Sequence, residues 1–187
     1  MSAPSLPGKV VAIDRALESA RIPHAFGGAL ALAYYAEPRA TIDIDVNVFV
    51  TPDRSEDVRS ALEPLGIVPG DERALRRDGQ SRWRWDATPV DLFFSNDPIH
   101  DAMRSAIRRV PFGDERIPIL GPEHLLICKL VFDRPKDWID IEQMLVLVDD
   151  LDEAEIRRWV DRMLAKDDPR LARFGKLLAR RNAEPGS

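Results

Sequence analysis

Residues 26–50 read FGGALALAYYAEPRATIDIDVNVFV, and the second half of that stretch decides the fold. Ile42, Ile44, Val46 and Val48 share one parity, while Thr41, Asp43, Asp45 and Asn47 share the other. A period of two predicts a β-strand over 41–50, with one face for a core. On the other face Asp43 and Asp45 leave the backbone about 6.7 Å apart. Partly desolvated, two such charges repel by roughly 2 kcal/mol at an effective dielectric of about 20. A divalent cation offsets that repulsion, and Mg2+ takes hard oxygen ligands from one or two carboxylates together with substrate phosphates. The plainer alternative for an isolated D-x-D is a solvated strand face.

Working outward, Gly27-Gly28 stands between a short strand at 24–26 and a helix at 29–35, where a turn can present backbone N–H groups to an anion. Downstream, the stretch SRWRWDATPVDLFF predicts two strands joined by a turn around 86–89. Asp91 lies in the apolar second strand, and a charge there requires a partner, either a metal or a neighbouring arginine. Further on, CKLVFDRPKDWIDI groups Lys129, Arg134, Lys136, Asp137 and Asp140 around a helix break at Arg134-Pro135. Asp137 and Asp140 are three apart and share one helical face.

The rest of the chain frames these groups. Helices are expected over 8–21, 56–65 and 99–109, followed by an irregular bridge at 111–118. From 121 onward the pattern is helical only, over 121–133, 136–148, 152–165 and 169–180. This order predicts an α/β (α+β) fold, with a small mixed sheet flanked by helices in residues 1–98 and a helical region in 99–187. At 187 residues the chain can bury roughly 70% of its unfolded surface.

Bulk composition excludes several classes. The single cysteine, Cys128, rules out a disulfide framework and favours a reducing compartment, where it reads as a small buried hydrophobe. No segment approaches the roughly 18 apolar residues of a membrane helix, so a cytoplasmic protein without membrane contact is expected. With 27 basic and 32 acidic residues the net charge is -5, so any nucleic-acid contact must come from a local patch. His24, His100 and His124 have no zinc spacing and read as structural or solvated, and no Ser/His/Asp triad is suggested.

Taken in order, Gly27-Gly28, Arg39-x-Thr41-x-Asp43-x-Asp45, the Val90-Asp91-Leu92-Phe93 strand and Lys129-x4-Arg134-x-Lys136-Asp137-x2-Asp140 resemble the DNA polymerase β-type nucleotidyltransferase superfamily. Within it the pattern is most similar to the AbiEii/MenT-type toxins of bacterial toxin–antitoxin systems, over roughly residues 25–147. The resemblance implies a nucleotidyltransferase core in which Gly27 and Gly28 hold the phosphates of a nucleoside triphosphate and Asp43 and Asp45 ligate Mg2+. It gives Asp91 the place of the third carboxylate, Lys129 a triphosphate contact, and either Asp137 or Asp140 the part of a late functional acid. Arg39, Thr41, Arg134 and Lys136 fall in the same nucleotide-binding elements. Transfer of a nucleotidyl group needs such a set: a metal on the phosphates, cations for the developing charge and a base near the incoming hydroxyl.

The resemblance points to the tRNA acceptor end as the receiving group, where added nucleotides would block aminoacylation and translation, and to a cognate antitoxin as partner. A protein or small-molecule hydroxyl is the alternative acceptor, and a silent nucleotide-binding module the alternative class. Arg73, Arg76, Arg77, Arg82 and Arg84 lie close to Trp83 and Trp85, and the alternation of Arg82 and Arg84 with the tryptophans reads either as an RNA-binding patch with stacking tryptophans or as a half-buried hairpin with tryptophans in the core. Arg104, Arg108 and Arg109 form a second basic group on the expected 99–109 helix. Thr41 shares the parity of the acids, so phosphorylation there would add a charge of about -1.5 to -2 and make it a candidate inhibitory control point.

Overall fold

The computed structural model describes residues 4–183. Their order is α1 (Leu6–Ser19), β1 (His24–Phe26), α2 (Gly28–Leu32), β2 (Ile44–Val48), α3 (Ser55–Leu62), α4 (Glu72–Asp78), β3 (Gln80–Trp85), β4 (Thr88–Phe94), α5 (Ile99–Ser105), β5 (Arg108–Phe112), β6 (Glu115–Ile119), α6 (Pro122–Phe132), α7 (Pro135–Leu147), α8 (Glu153–Met163) and α9 (Pro169–Ala183). The outermost residues of the expected 1–98 and 99–187 regions lie outside the described range. Backbone contacts divide the chain into two units, Met1–Ala31 with Ala40–Leu120, and Leu32–Arg39 with Gly121–Ser187.

The first unit is built on a mixed six-stranded sheet ordered β3-β4-β2-β1-β6-β5. Its centre is the parallel pair β2/β4, in which Ile44, Val46 and Val48 bury one face together with Val90, Leu92 and Phe94. α1 adds Val10, Ile13 and Leu17 to this core. Trp83 and Trp85 are also buried, while Arg82 and Arg84 between them are exposed. The hairpin therefore has its tryptophans in the core, and they are not stacking platforms.

Three segments differ from the sequence expectation. The 41–50 strand is shorter, Ile44–Val48, and Ile42 is 71% exposed. With Thr41 to Asp43 outside the ladder, strand parity no longer aims those side chains. The 99–109 helix ends at Ser105, and the supposed irregular bridge is the hairpin β5/β6, so Arg108 and Arg109 stand on a strand. β6 then pairs in parallel with β1 through Phe26 and Ile119. α4 is an additional helix, N-capped by Asp71 and anchored by the single buried apolar residue Leu75.

The second unit is helical. α6 and α7 start with proline in the first turn, which fits a position where the N–H has no helical partner. α6 packs on α7 and α8, and α7 on α9. Leu126, Ile127, Leu130, Ile141, Met144 and Ile156 fill the interior. Cys128 is half-buried. Among the described residues no helix is long and apolar enough to cross a membrane.

Candidate active site

The sheet register assembles the acids of the first unit. Asp45 on β2 stands opposite Asp91 on β4. Asp91 in turn stands opposite Arg82 on β3. Three adjacent strands thus carry Asp45, Asp91 and Arg82 in one row, with neighbours about 4.8 Å apart across the sheet. Arg82 meets Asp91 fork to fork: Nε donates to Oδ1 and Nη2 to Oδ2, each at 2.7 Å. The same Nη2 lies 4.0 Å from Asp43 Oδ2. The Asp91 hydrogen bond and charge, supplemented by Asp43 and Asp45, hold the Arg82 guanidinium above its ordinary pKa. Such bidentate pairing is the strongest common form of arginine–carboxylate contact.

The double glycine serves Asp45. Gly27 N–H donates to the Asp45 carbonyl at 2.9 Å, so that donor belongs to the sheet. Gly28 has φ +55°, and a Cβ there would overlap the Asp45 carboxylate. Glycine is required at 28 both by the left-handed backbone and by this close approach. The α2 helix that follows is only five residues long. Ahead of the strand, the Thr41 hydroxyl lies 3.2 Å from the Asp43 N–H and 3.3 Å from the Asp43 carbonyl oxygen. Thr41 thereby fixes the peptide that carries Asp43.

The second unit gathers cations on one acid. Lys129 Nζ donates to Asp140 Oδ2 at 2.6 Å, with both side chains buried. Arg39 Nη2 reaches the same oxygen at 3.2 Å, while Arg39 Nε is buried without a hydrogen-bond partner. Asp137, fully buried, instead accepts from Arg134: its backbone N–H at 3.1 Å, Nε at 2.6 Å and Nη2 at 3.0 Å. That arrangement closes the first turn of α7 and is structural. Asp140, not Asp137, is the acid joined to Lys129. Lys136 is exposed on the same turn.

The remaining candidates separate. Arg77 pairs with Asp78, Arg76 lies 3.7 Å from Glu72, and both are exposed on α4 with Arg73. Arg84 is exposed on β3. His24 is buried between the Ile22 carbonyl and Asp14, at 3.0 and 2.9 Å. His124 is buried near Glu155, and His100 lies on the Asp97 carbonyl, so all three histidines are structural or solvated. Sequence reasoning missed the basic face of α9, PRLARFGKLLARRNA, which carries five cations and no acid. It also missed the place of Arg82, which counting outward from a two-residue turn at Asp86-Ala87 would have put opposite Asp91.

Among the described residues no three His, Cys, Asp or Glu side chains are arranged to hold a metal ion by themselves. The donors at Asp43 and Asp45 nevertheless fit a hard divalent cation that arrives with phosphates. They are half-exposed carboxylates, and such an ion takes only one or two from the protein.

Solved structures place this architecture among nucleotidyltransferase folds. The solution structure of the antibiotic-resistance factor ANT(2'')-Ia matches with TM-score 0.60 at 13% identity, over 93% of this chain and 95% of that one. Its crystal structure in complex with adenylyl-2''-tobramycin matches with TM-score 0.58 at 15% identity, over 74% and 86%. An antigenic nucleotidyltransferase-like protein from Paracoccidioides brasiliensis matches with TM-score 0.52 at 17% identity, over 78% and 77%. At these identities the likeness is one of fold. No curated protein matches the sequence. Residues 12–185 match the nucleotidyl transferase AbiEii toxin family of type IV toxin–antitoxin systems, and the chain belongs to that family.

Proposed function

We propose that this chain is a Mg2+-dependent nucleotidyltransferase toxin that moves nucleotides from a nucleoside triphosphate to the 3′ end of tRNA, blocking aminoacylation and translation. The observation that carries the chemistry is the row of Asp45 and Asp91 on paired strands, with Asp43 at the strand mouth and Gly28 against Asp45. Asp43 and Asp45 hold the metal. A metal held there would supply Lewis-acid stabilisation of charge on the phosphates. Lys129 and Arg39, oriented by Asp140, supply cations for the triphosphate, and exposed Lys136 adds positive charge at the start of α7, where Arg134 is neutralised by Asp137. Asp91 is the candidate acceptor of the incoming hydroxyl's proton. Both its oxygens are engaged by Arg82, so that step requires the fork to open.

For the acceptor, the surface supports RNA. Arg73, Arg76 and Arg84 are exposed on one unit, and Lys176 and Arg180 on α9 of the other. Arginine and lysine groups of this kind grip phosphates, and they do so in a chain whose net charge is -5. A cognate antitoxin is the expected partner, and cytoplasmic residence the expected location. Thr41 is the proposed control point, because a phosphate on its hydroxyl would remove its bonds to the Asp43 peptide and set a dianion beside two acids.

The test is incubation of total tRNA with the four triphosphates and Mg2+, followed by sequencing of the 3′ ends. Added 3′ nucleotides that vanish with Asp45→Asn are the expected result. Unlabelled tRNA together with label on a protein or an aminoglycoside would replace the acceptor, and no transfer to any of them would favour a silent nucleotide-binding module.

A further inference from the structure

The Arg82 fork on Asp91 is unusual for a group of carboxylates proposed to work with metal. The four groups Asp43, Asp45, Asp91 and Arg82 carry a formal charge of -2. Without the guanidinium it would be -3, a charge that draws a divalent cation more strongly than the two acids Asp43 and Asp45 alone. Arg82 occupies both oxygens of the third carboxylate at 2.7 Å while its Nη2 also faces Asp43. It is anchored on its own strand directly opposite Asp91, so this contact follows from the hairpin register and needs no long-range reach.

We infer that Arg82 is a built-in cation that fills the divalent position on Asp91 in the nucleotide-free protein, so that metal enters only together with a triphosphate. Two carboxylates alone hold Mg2+ weakly, because the ion retains its waters until phosphates complete its shell. The toxin then carries no resident metal. Arg82 is a positioning residue for the site and is not an RNA contact, whereas Arg76, Arg77 and Arg84 are exposed, with Arg77 paired to Asp78. A guanidinium is suited to this place because it stays charged at every physiological pH and matches a carboxylate with two parallel bonds.

The inference rests on Asp43 and Asp45 being the metal ligands, and the experiment separates the two claims. Mn2+ binding to the whole chain is measured by electron paramagnetic resonance of the free ion, with and without a non-hydrolysable nucleoside triphosphate. Wild type is expected to bind Mn2+ well only with the triphosphate. Removing the guanidinium in Arg82→Met is expected to raise nucleotide-free affinity about tenfold or more, since one unit charge close to the site is removed. Arg82→Met/Asp91→Asn should return to the wild-type value. Arg82→Gln is measured in parallel, and unchanged circular dichroism identifies which variant is folded. A folded variant that binds Mn2+ no better than wild type without nucleotide overturns the inference while leaving the metal reading intact. So does a wild type that already binds Mn2+ tightly alone. Absence of Mn2+ binding in wild type even with the triphosphate takes down both.

Discussion

Removing Asp140 should unfold the second unit before it answers any question about catalysis, and a compensating change should restore the fold without the activity. Lys129 and Asp140 are each about 4% exposed, and Nζ lies 2.6 Å from Oδ2, which Arg39 also reaches. In Asp140→Ala the Lys129 ammonium stays buried without a counter-ion. Breaking a buried pair in this way costs about 3–5 kcal/mol, whereas replacing both partners with apolar groups is often neutral. For a chain of this size each kcal/mol moves Tm by about 2–4 °C, so Asp140→Ala is expected to lose roughly 6–20 °C. Lys129→Met/Asp140→Leu should recover most of that loss and still transfer no nucleotide. Differential scanning calorimetry at pH 7 in low and high salt gives the Tm values, and they should depend little on salt, because buried pairs are weakly screened. A drop below about 2 °C for Asp140→Ala, or a double variant as unstable as the single one, would refute the reasoning. An active double variant would remove Lys129 from the chemistry.

Other outcomes follow from the same geometry. Gly28→Ala must hold alanine at φ +55°, a strain of about 1–2 kcal/mol, and displaces the Asp45 carboxylate. A Tm lowered by a few degrees with transfer nearly abolished is expected from calorimetry and labelled-nucleotide assay. Asp43→Asn and Asp45→Asn remove charge repulsion, so Tm should hold or rise while transfer falls by about 10²–10³-fold; growth on overexpression reports the loss in cells. Burial depresses the His124 pKa below its ordinary 6.5 despite Glu155 at 3.5 Å. The unfolded chain then takes up a proton at His124 that the folded chain refuses. Stability should therefore fall as pH drops below about 6.5, a slope that His124→Phe abolishes in urea titrations run across that range.

The sequence carried the centre of this fold plainly, because Ile44, Val46 and Val48 alternate with polar residues and buried strands write that alternation. The helices from Pro122 onward were equally legible, with prolines at three of their starts and apolar residues at helical spacing. The β5/β6 hairpin was hidden because its strands lead with charged residues, Arg108-Arg109 and Glu115-Arg116, and contain Pro111 and Pro118, which mask alternation at the sheet edge. Its one clear signal was Gly113-Asp114 between the two runs, with Gly113 at φ +60°. α4 left no stripe because a single leucine anchors it. Of the site, Asp43, Asp45, Asp91 and Lys129 could be nominated from residue type and setting. The choice between Asp137 and Asp140 could not, since both fit the same helical face and only the packing of α6 on α7 gives Lys129 to one of them.

Charge balance sets the two candidate clusters apart from the ordinary salt bridges of this chain. A structural pair ends neutral, as Arg134 with Asp137 does. Neither candidate cluster does by formal charge of the side chains named. Around Asp91 three acids share one guanidinium, and around Asp140 two cations share one carboxylate, leaving Arg39 Nε buried without an acceptor. By formal charge, each cluster favours a ligand of opposite sign. The first excess is negative and calls for a cation; the second is positive and calls for an anion. Each cluster taken by itself supports the proposed nucleotidyl transfer, the first through the divalent ion and the second through the phosphates of a nucleoside triphosphate.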